Sequence, residues 1–565
     1  MSKKIKIVGG VAGGASVATR ARRLDETAEI TMFERGPHVS FSNCALPFHL
    51  SGIIENSDDL VLMDPETFKY QYNIDARVHN EVVGINKEDK TISVKDVLTG
   101  DVYEEAYDVL VLSPGAKPVR PSSIKGIDMS HVFSVRNVPD IASIQTYVEN
   151  NNIEDIVVVG GGFIGLEVME NFKLVDKNVT LVEAANQVMM PLDEDMAQIV
   201  HREIHDKGVN LILSDCVVEI TKDKVLLQSG KEIDAKLIVM AIGVTPETDL
   251  AKEAGLELGE TGSILVNQHF QTSDPNIYAV GDAIEVYNRL TRKKTRLTMA
   301  GPAQRQARAA ADHMFGRIVQ NRGVIGSGVL QVFDYAVAST GLNERMCLEN
   351  QIDYRQVYII PNDKVGLMPD ANNLFFKLIF EYPTGKILGA QAIGKGNADK
   401  RIDVIATMIS MEGTIYDLAD LELAYSPSYG TAKDVVNMAA LVAINILNEE
   451  YNQVPVSQVR SLVESGAVIV DVREEDEFKA GHLVNSINIP LSQFRERLDE
   501  IPKDKPVYLH CRSGQRSYNM TRALLQRGYT EVYNISGSFL GISEYEYYTD
   551  QVTGRDKIVT AYNFN

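Results

Sequence analysis

An α/β protein of several domains, with two separate nucleotide sites, is predicted from three observations. Residues 4–34 read strand, glycine-rich turn, helix, strand, acid, and residues 155–183 read the same. The chain's 565 residues exceed what one core organises, since domains usually hold about 100–200 residues. From Val456 a compact α/β pattern begins that is long enough for a domain of its own, set off by the polar, proline-ended stretch Leu447 to Pro455.

The second βαβ unit is the more regular. Ile156 to Val159 is a buried-strand run, followed by Gly160, Gly162 and Gly165 in full G-x-G-x-x-G spacing. The first glycine permits the tight turn, the second lets a pyrophosphate approach the backbone, and the third lets helix and strand pack closely. Helix N-terminal amides then face the phosphates. Glu183, 18 residues past Gly165, ends the next strand, where a carboxylate can accept from ribose hydroxyls. It favours NADH over NADPH, whose 2′-phosphate would meet a like charge.

The first unit is less regular: Gly9 and Gly14 keep the outer places, but Val11 stands where the second motif glycine would. Glu34 follows 20 residues past Gly14. Farther on, Thr272 to Asp282 places an aspartate at a strand end followed by a helix. Tyr107 to Gly115 and Leu237 to Gly243 read as strands returning to their parent sheets, and residues 325–445 alternate strands with helices at 401–412 and 431–446.

The order glycine motif, GGGFIG, then T-x-x-P-x-I-Y-A-x-G-D resembles the flavoprotein disulfide reductases with two dinucleotide-binding domains. The resemblance implies Rossmann-like FAD and NAD(P)H domains, an α+β dimerisation domain and a homodimer. The boundaries expected are 1–112 and 243–324 for FAD, 113–242 for NAD(P)H, 325–446 for dimerisation and 447–455 for a linker. It implies that Asp282 holds the flavin's ribityl chain and Glu34 the adenosine ribose. Cofactor contacts are implied for Gly9, Ala12, Gly13, Gly14, Glu34, Arg35, Asn43, Val82, Ser113, Gly115, Gly281, Asp282 and Ala300, and for Gly160, Gly162, Ile164, Gly165, Glu183 and Gly243.

Ser40 to Pro47 contains one cysteine, Cys44, where glutathione-reductase-like relatives carry a pair. The motif S-F-x-x-C-x-L-P is similar to the single-cysteine branch: coenzyme A disulfide reductases, NADH oxidases and peroxidases, and persulfide reductases. The chemistry asks for a low-pKa thiolate beside a flavin, both nucleophile and leaving group. With no neighbouring cysteine, Cys44 must pair with substrate sulfur, or form a sulfenate if the substrate is peroxide.

Resemblance to coenzyme A disulfide reductase extends over residues 1–445, through G-x-V-A-G-G-A at 9–15, R-R-L-D at 22–25, K-R-I-D-V at 400–404 and A-Y-S-P-x-Y at 424–429. It implies a coenzyme A site lined by Ser16, Arg20, Arg23, Ser40, Asn43 and Lys433, and Tyr425 of the partner subunit acting near Cys44 as acid or donor. By composition alone, Tyr425 reads equally as a core aromatic, and Arg20, Arg22 and Arg23 as a solvated helix face or an anion site. The family's Tyr-Tyr-Pro-Gly stretch is replaced by Leu367-Met368-Pro369-Asp370. A second active-site tyrosine is therefore missing, which a persulfide, expelling only sulfide, tolerates better than a coenzyme A disulfide.

At the C-terminus, Asp471-Val472-Arg473, Ala480-Gly481-His482 and His510-Cys511-Arg512-Ser513-Gly514-Gln515-Arg516-Ser517 occur in that order. Over residues 456–550 they resemble a single-domain rhodanese, giving an expected α/β domain at 456–565. The loop after Cys511 can aim amides at the sulfur, with Arg512 and Arg516 on its rim. Cys216 and Cys347 lack such a setting and read as structural, and no cysteine spacing suits a metal.

A formal net charge of −21 argues against nucleic acid. No apolar run nears the roughly 20 residues of a membrane helix. Met1-Ser2-Lys3-Lys4 runs straight into a strand, so a cytoplasmic chain without a signal peptide is expected. The expected function is reduction of coenzyme A persulfide, polysulfide or coenzyme A disulfide at Cys44, with FAD, with NADH (NADPH as the alternative), and with coenzyme A as substrate or bound thiol. Cys511 carries sulfane sulfur. The nearest enzyme alternative is an NADH oxidase or peroxidase; a different class is a non-catalytic sulfur carrier or redox sensor.

Overall fold

The computed structural model describes residues 2–564. The chain folds as two compact units: residues 1–184 with 215–324, and residues 185–214 with 325–565.

The first unit contains both glycine motifs. Strands Ile277–Ala279, Val109–Leu112, Lys4–Val8, Glu29–Phe33 and Asp75–Arg77 lie in that order, all parallel. Val8 pairs with both Phe33 and Leu112, so the return strand lies beside the first. Ile5, Ile7, Met32 and Val111 are wholly buried, as parallel strands covered on both faces require. Strands Asn178–Val182, Asp155–Val159, Leu237–Met240 and Val132–Phe133 repeat the parallel plan. The helix expected after Asp282 is a single 3-10 turn, Gly281–Ala283; the long helix starts only at Ala300 and runs to Met314.

The second unit has an antiparallel sheet, ordered Ser327–Val332, Tyr335–Gly341, Ile387–Gly394, Leu374–Glu381, Tyr354–Ile359. Helices Ala398–Ser410 and Val435–Leu447 accompany it. The second begins later than expected because the Asp434 carboxylate accepts from the Val436 N–H and caps it. The C-terminal sheet is parallel: Asn452–Val454, Val532–Ile535, Val507–His510, Val468–Asp471, Ile487–Asn488.

One expected boundary is corrected. The stretch 447–455 is not all linker: Asn452 pairs with Tyr533 and Val454 with Ile535, so a polar edge strand hid there. Within the expected 113–242, residues 185–214 group with the second unit. There helix Glu194–Asp206 meets helix Ser538–Thr553, with the Arg202 Nε 2.8 Å from the buried Glu544 carboxylate and the Tyr548 hydroxyl donating to the Leu211 carbonyl. Among the described residues no helix is long and apolar enough to cross a membrane.

Candidate active site

The two glycine turns are built alike. Gly9 and Gly160 have φ of +91° and +111°, and a Cβ on Gly14 or Gly165 would lie 1.8 Å from the Gly9 or Gly160 carbonyl oxygen, so neither can be replaced. The acids at the strand ends clamp the turns. Glu34 accepts from the Gly10 and Gly36 N–H groups, both at 2.9 Å, and Glu183 from the Gly161 N–H at 2.6 Å. The middle position differs: among the described residues, nothing beyond its immediate chain neighbours lies within 4 Å of where a Gly162 Cβ would be. Val11, its counterpart, has an ordinary negative φ of −100°. The protein itself thus imposes no glycine at either middle place; at Gly162 the open space suits a ligand backbone.

Cys44 sits in a 3-10 turn, Asn43–Ala45, between Ser40 (φ +49°) and helix Pro47–Leu50. Leu46, wholly buried, anchors the turn, while Cys44 is exposed. The Asn43 amide donates to the Arg136 carbonyl (3.0 Å) and its oxygen accepts from the Arg136 Nη1 (2.8 Å). Arg136 is itself fixed, its N–H donating to Asp140 in the capping box of helix Val138–Asn151. Gly115 takes φ +78°, the left-handed region that favours glycine, and a Cβ there would lie 2.4 Å from the Arg136 Nη2.

The chain's own groups do not lower the Cys44 thiol. Burial by surrounding protein, then the Glu167 and Asp282 carboxylates, push the Cys44 thiol up. Glu167, on helix Phe163–Leu174 behind the second glycine turn, is itself pushed up to about 7 by burial and by Glu170. Asp282 is raised by burial, against the opposing pull of Arg136.

The three arginines of the cluster have different surroundings. Arg20 is committed to Asp312, its Nε 2.8 Å from the carboxylate. Arg22 is buried and donates to the carbonyls of Asp25, Glu26, Tyr72 and Asn73. Arg23 stays exposed, over the Tyr72 ring. Arg35 pairs with Glu247. Ser16 is half-buried, Val82 buried and Ile164 exposed. Gly13 packs against Ser113, Gly281 donates its N–H to Gln306, and Gly243 has φ +108°. In the second unit Tyr425 is half-exposed in an irregular segment, so the core-aromatic reading fails, and Lys433 is exposed.

Cys511, buried, follows strand Val507–His510. Its carbonyl and that of Arg512 accept from the Phe539 and Leu540 N–H groups at the start of helix Ser538–Thr553. The loop's carbonyls therefore turn away, and the Gly514 N–H donates to the Cys511 Sγ at 3.1 Å, with the Ser517 hydroxyl at 3.6 Å. Gly514, at φ +111°, also caps helix Gln515–Leu525. Cys347 is buried, its thiol pushed up to about 12 by burial and by Asp193 and Glu344.

Residues 3–307 match the pyridine nucleotide-disulphide oxidoreductase family. The chain belongs to this family. Residues 329–435 match its dimerisation domain and 455–545 a rhodanese-like domain. The oxidoreductase is 33% identical to the coenzyme A disulfide reductase of Staphylococcus haemolyticus, over 77% of this chain and 98% of that one. The reduced Bacillus anthracis CoADR-RHD crystal structure is 46% identical, covering 96% of this chain and 98% of that one, with a TM-score of 0.94. A NAD-dependent persulfide reductase from A. fulgidus is 35% identical, covering 95% and 99%, with a TM-score of 0.91.

The family implies FAD and NAD(P)H, and the residues fit: two glycine turns, each clamped by a carboxylate, with open space before Gly162. Sequence reasoning missed Arg136 and Glu167. Neither belongs to a motif, but Glu167 stands two residues past Gly165, just beyond the first turn of a helix whose start the motif fixes. Asp193, Asp195 and Glu344 gather three carboxylates, yet the Lys377 ammonium lies among them at 3.2, 2.8 and 2.5 Å and serves as their cation.

Proposed function

We propose that this oxidoreductase is an NADH-dependent cytoplasmic reductase of coenzyme A persulfide, polysulfide or coenzyme A disulfide. Cys44 is the sulfur that bonds to substrate, and Cys511 carries sulfane sulfur to it. The observation that carries the reading is the convergence on one exposed, unpaired cysteine of Glu167 and Asp282, from the two nucleotide-binding halves.

A bound flavin, reduced by nicotinamide, supplies an electron pair. The chain's own residues do the rest. The Cys44 sulfur bonds to the carbon-bearing sulfur of R–S–SH, and hydrosulfide leaves. The resulting Cys44–S–S–R disulfide takes up the electron pair and two protons to give two thiols. Glu167, titrating near 7, can take the thiol proton before attack at neutral pH. Arg136 and Asn43 hold the turn that aims the sulfur. Glu34 and Glu183 accept from ribose hydroxyls with the lone pairs the turn amides leave. Tyr425 of a second copy supplies a donor at Cys44 in a homodimer, and Lys433 and Arg23 meet coenzyme A phosphates.

The test is NADH consumption measured side by side with coenzyme A persulfide, polysulfide, coenzyme A disulfide and peroxide. The persulfide should give the highest kcat/KM, with NADH ahead of NADPH and Glu183→Ala narrowing that gap. Fastest turnover with peroxide would replace this reading with a Cys44 sulfenate peroxidase.

A further inference from the structure

Two arginines of the rhodanese motifs, Arg473 and Arg516, are each held in an ion pair. Arg473 is buried, with its guanidinium on both oxygens of Asp471 and on the Gly481 carbonyl. Arg516 reaches Cys511, but its two terminal nitrogens also lie 2.6 and 2.7 Å from the two oxygens of Glu477. This is a fork-to-fork pair, the strongest geometry between these groups. Arg516 holds Glu477 below the usual carboxylate range, so the acid is charged at neutral pH.

Glu477 is fixed in place. It lies in helix Glu475–Lys479 and closes a capping box in which its carboxylate accepts from the Glu474 N–H. Glu474 in turn accepts from the Ser492 hydroxyl. The turn that presents Glu477 is Glu474-Glu475-Asp476-Glu477, four acids in succession. The arginine beside the sulfur is thus offset within its own pair, on an acidic stretch.

We propose that the Glu477–Arg516 pair makes Cys511 selective for an organic persulfide over thiosulfate. This rests on the reading of Cys511 as a sulfur carrier and names its donor class. Thiosulfate is a dianion, and its loading step expels sulfite, also a dianion; both need an uncompensated cation at the sulfur. The reacting group of a persulfide R–S–SH, its –S–SH end, has at most one negative charge, and so has the thiolate sulfur it expels. The Cys511 thiolate attacks its terminal sulfur, a new S–S bond forms, and the donor's S–S bond breaks. The electron pair leaves with R–S⁻, and the proton stays on the transferred sulfur, giving Cys511–S–SH. No outside oxidant or reductant is needed.

The experiment uses the full-length holoenzyme without NADH, glutathione persulfide or thiosulfate as donor, and cyanide as acceptor, with thiocyanate as the readout. The persulfide should exceed thiosulfate in kcat/KM by about tenfold or more. Glu477→Gln keeps the shape of the pair and removes its negative charge. It should raise thiosulfate kcat/KM several-fold and leave the persulfide value nearly unchanged. Thiosulfate turnover by the unaltered protein should also rise with ionic strength, as repulsion by the acidic turn is screened. That measurement decides the matter if the Gln variant loses its fold, and a fall with salt overturns the proposal. Parity of the two donors, or an unchanged ratio in a folded Gln variant, overturns it while leaving Cys511-dependent transfer intact. Turnover of both donors no better than in Cys511→Ser overturns the sulfur-carrier reading itself, and this proposal with it.

Discussion

The two sulfur centres sit in opposite surroundings. Around Cys511 the chain supplies donors: the Gly514 N–H, the Ser517 hydroxyl and the Arg516 guanidinium. Around Cys44 it supplies burial and two carboxylates, which work against a thiolate. On the proposed function, the centre that holds extra sulfur as an anion has its stabilising groups built into the loop. A centre that must alternate between thiol and disulfide is left near carboxylates that can take a proton from it, with its position fixed by the Asn43–Arg136 clamp. Two single cysteines in turns thus have different electrostatics, which on the proposed function would suit different halves of a sulfur reaction.

The sharpest way to break this comparison is to remove each sulfur. Cys44→Ser is expected to cut NADH-driven reduction of a soluble persulfide by on the order of 10³-fold or more while sparing sulfur transfer to cyanide. Cys511→Ser should do the reverse. Stopped-flow NADH oxidation and thiocyanate formation measure the two activities. If Cys511→Ser destroys reduction of every soluble substrate, the centres are obligatorily linked and the contrast drawn above is wrong.

A smaller effect is expected from the loop. Gly514 has φ +111° with open space around it, so Gly514→Ala meets no clash but must strain or flip the backbone that aims its N–H at Cys511. A strain of about 1–2 kcal/mol should slow sulfur loading roughly tenfold, with NADH-driven reduction unaffected. Unchanged loading would show that Arg516 and Ser517 suffice without the amide.

How much of this was legible in the sequence follows from where the physics resides. Both glycine turns, the parallel sheets and the Cys511 loop were readable because steric limits tie residue type to position: Gly14 and Gly165 are forced by carbonyl oxygens 1.8 Å from any Cβ. Long-range pairings were not. The sequence left Arg20 open between a solvated face and an anion site, and its pairing with Asp312, nearly 300 residues on, was not readable there. Asn452–Val454 looked like linker because an edge strand needs only backbone partners, which composition does not reveal. The Cys44 thiol was expected low because the chemistry needs it low, whereas its neighbours Glu167 and Asp282 come from segments far along the chain.

The smallest expected effect, and the most specific to the contrast, is at Glu167. Replacing it with Gln removes one of the two carboxylates that raise the Cys44 thiol. The pH dependence of Cys44 alkylation should therefore shift to lower pH, so that the variant reacts faster than the unaltered protein at neutral pH. Turnover should move the other way if Glu167 takes the thiol proton, losing the limb near pH 7 that its own titration, raised from 4.5 to about 7, would produce. Stability supplies a third, independent sign. A carboxyl raised in the folded state contributes stability that is fully present below pH 4.5 and is lost as the pH rises through about 7. The Gln variant, with no charge to bury, should gain relative to the unaltered protein across that window in urea midpoints taken from pH 4.5 to 7.5. Faster alkylation with slower turnover would fix Glu167 as the proton acceptor of the Cys44 centre. Faster alkylation with unchanged turnover would make it an electrostatic neighbour only, and leave the proton to another group.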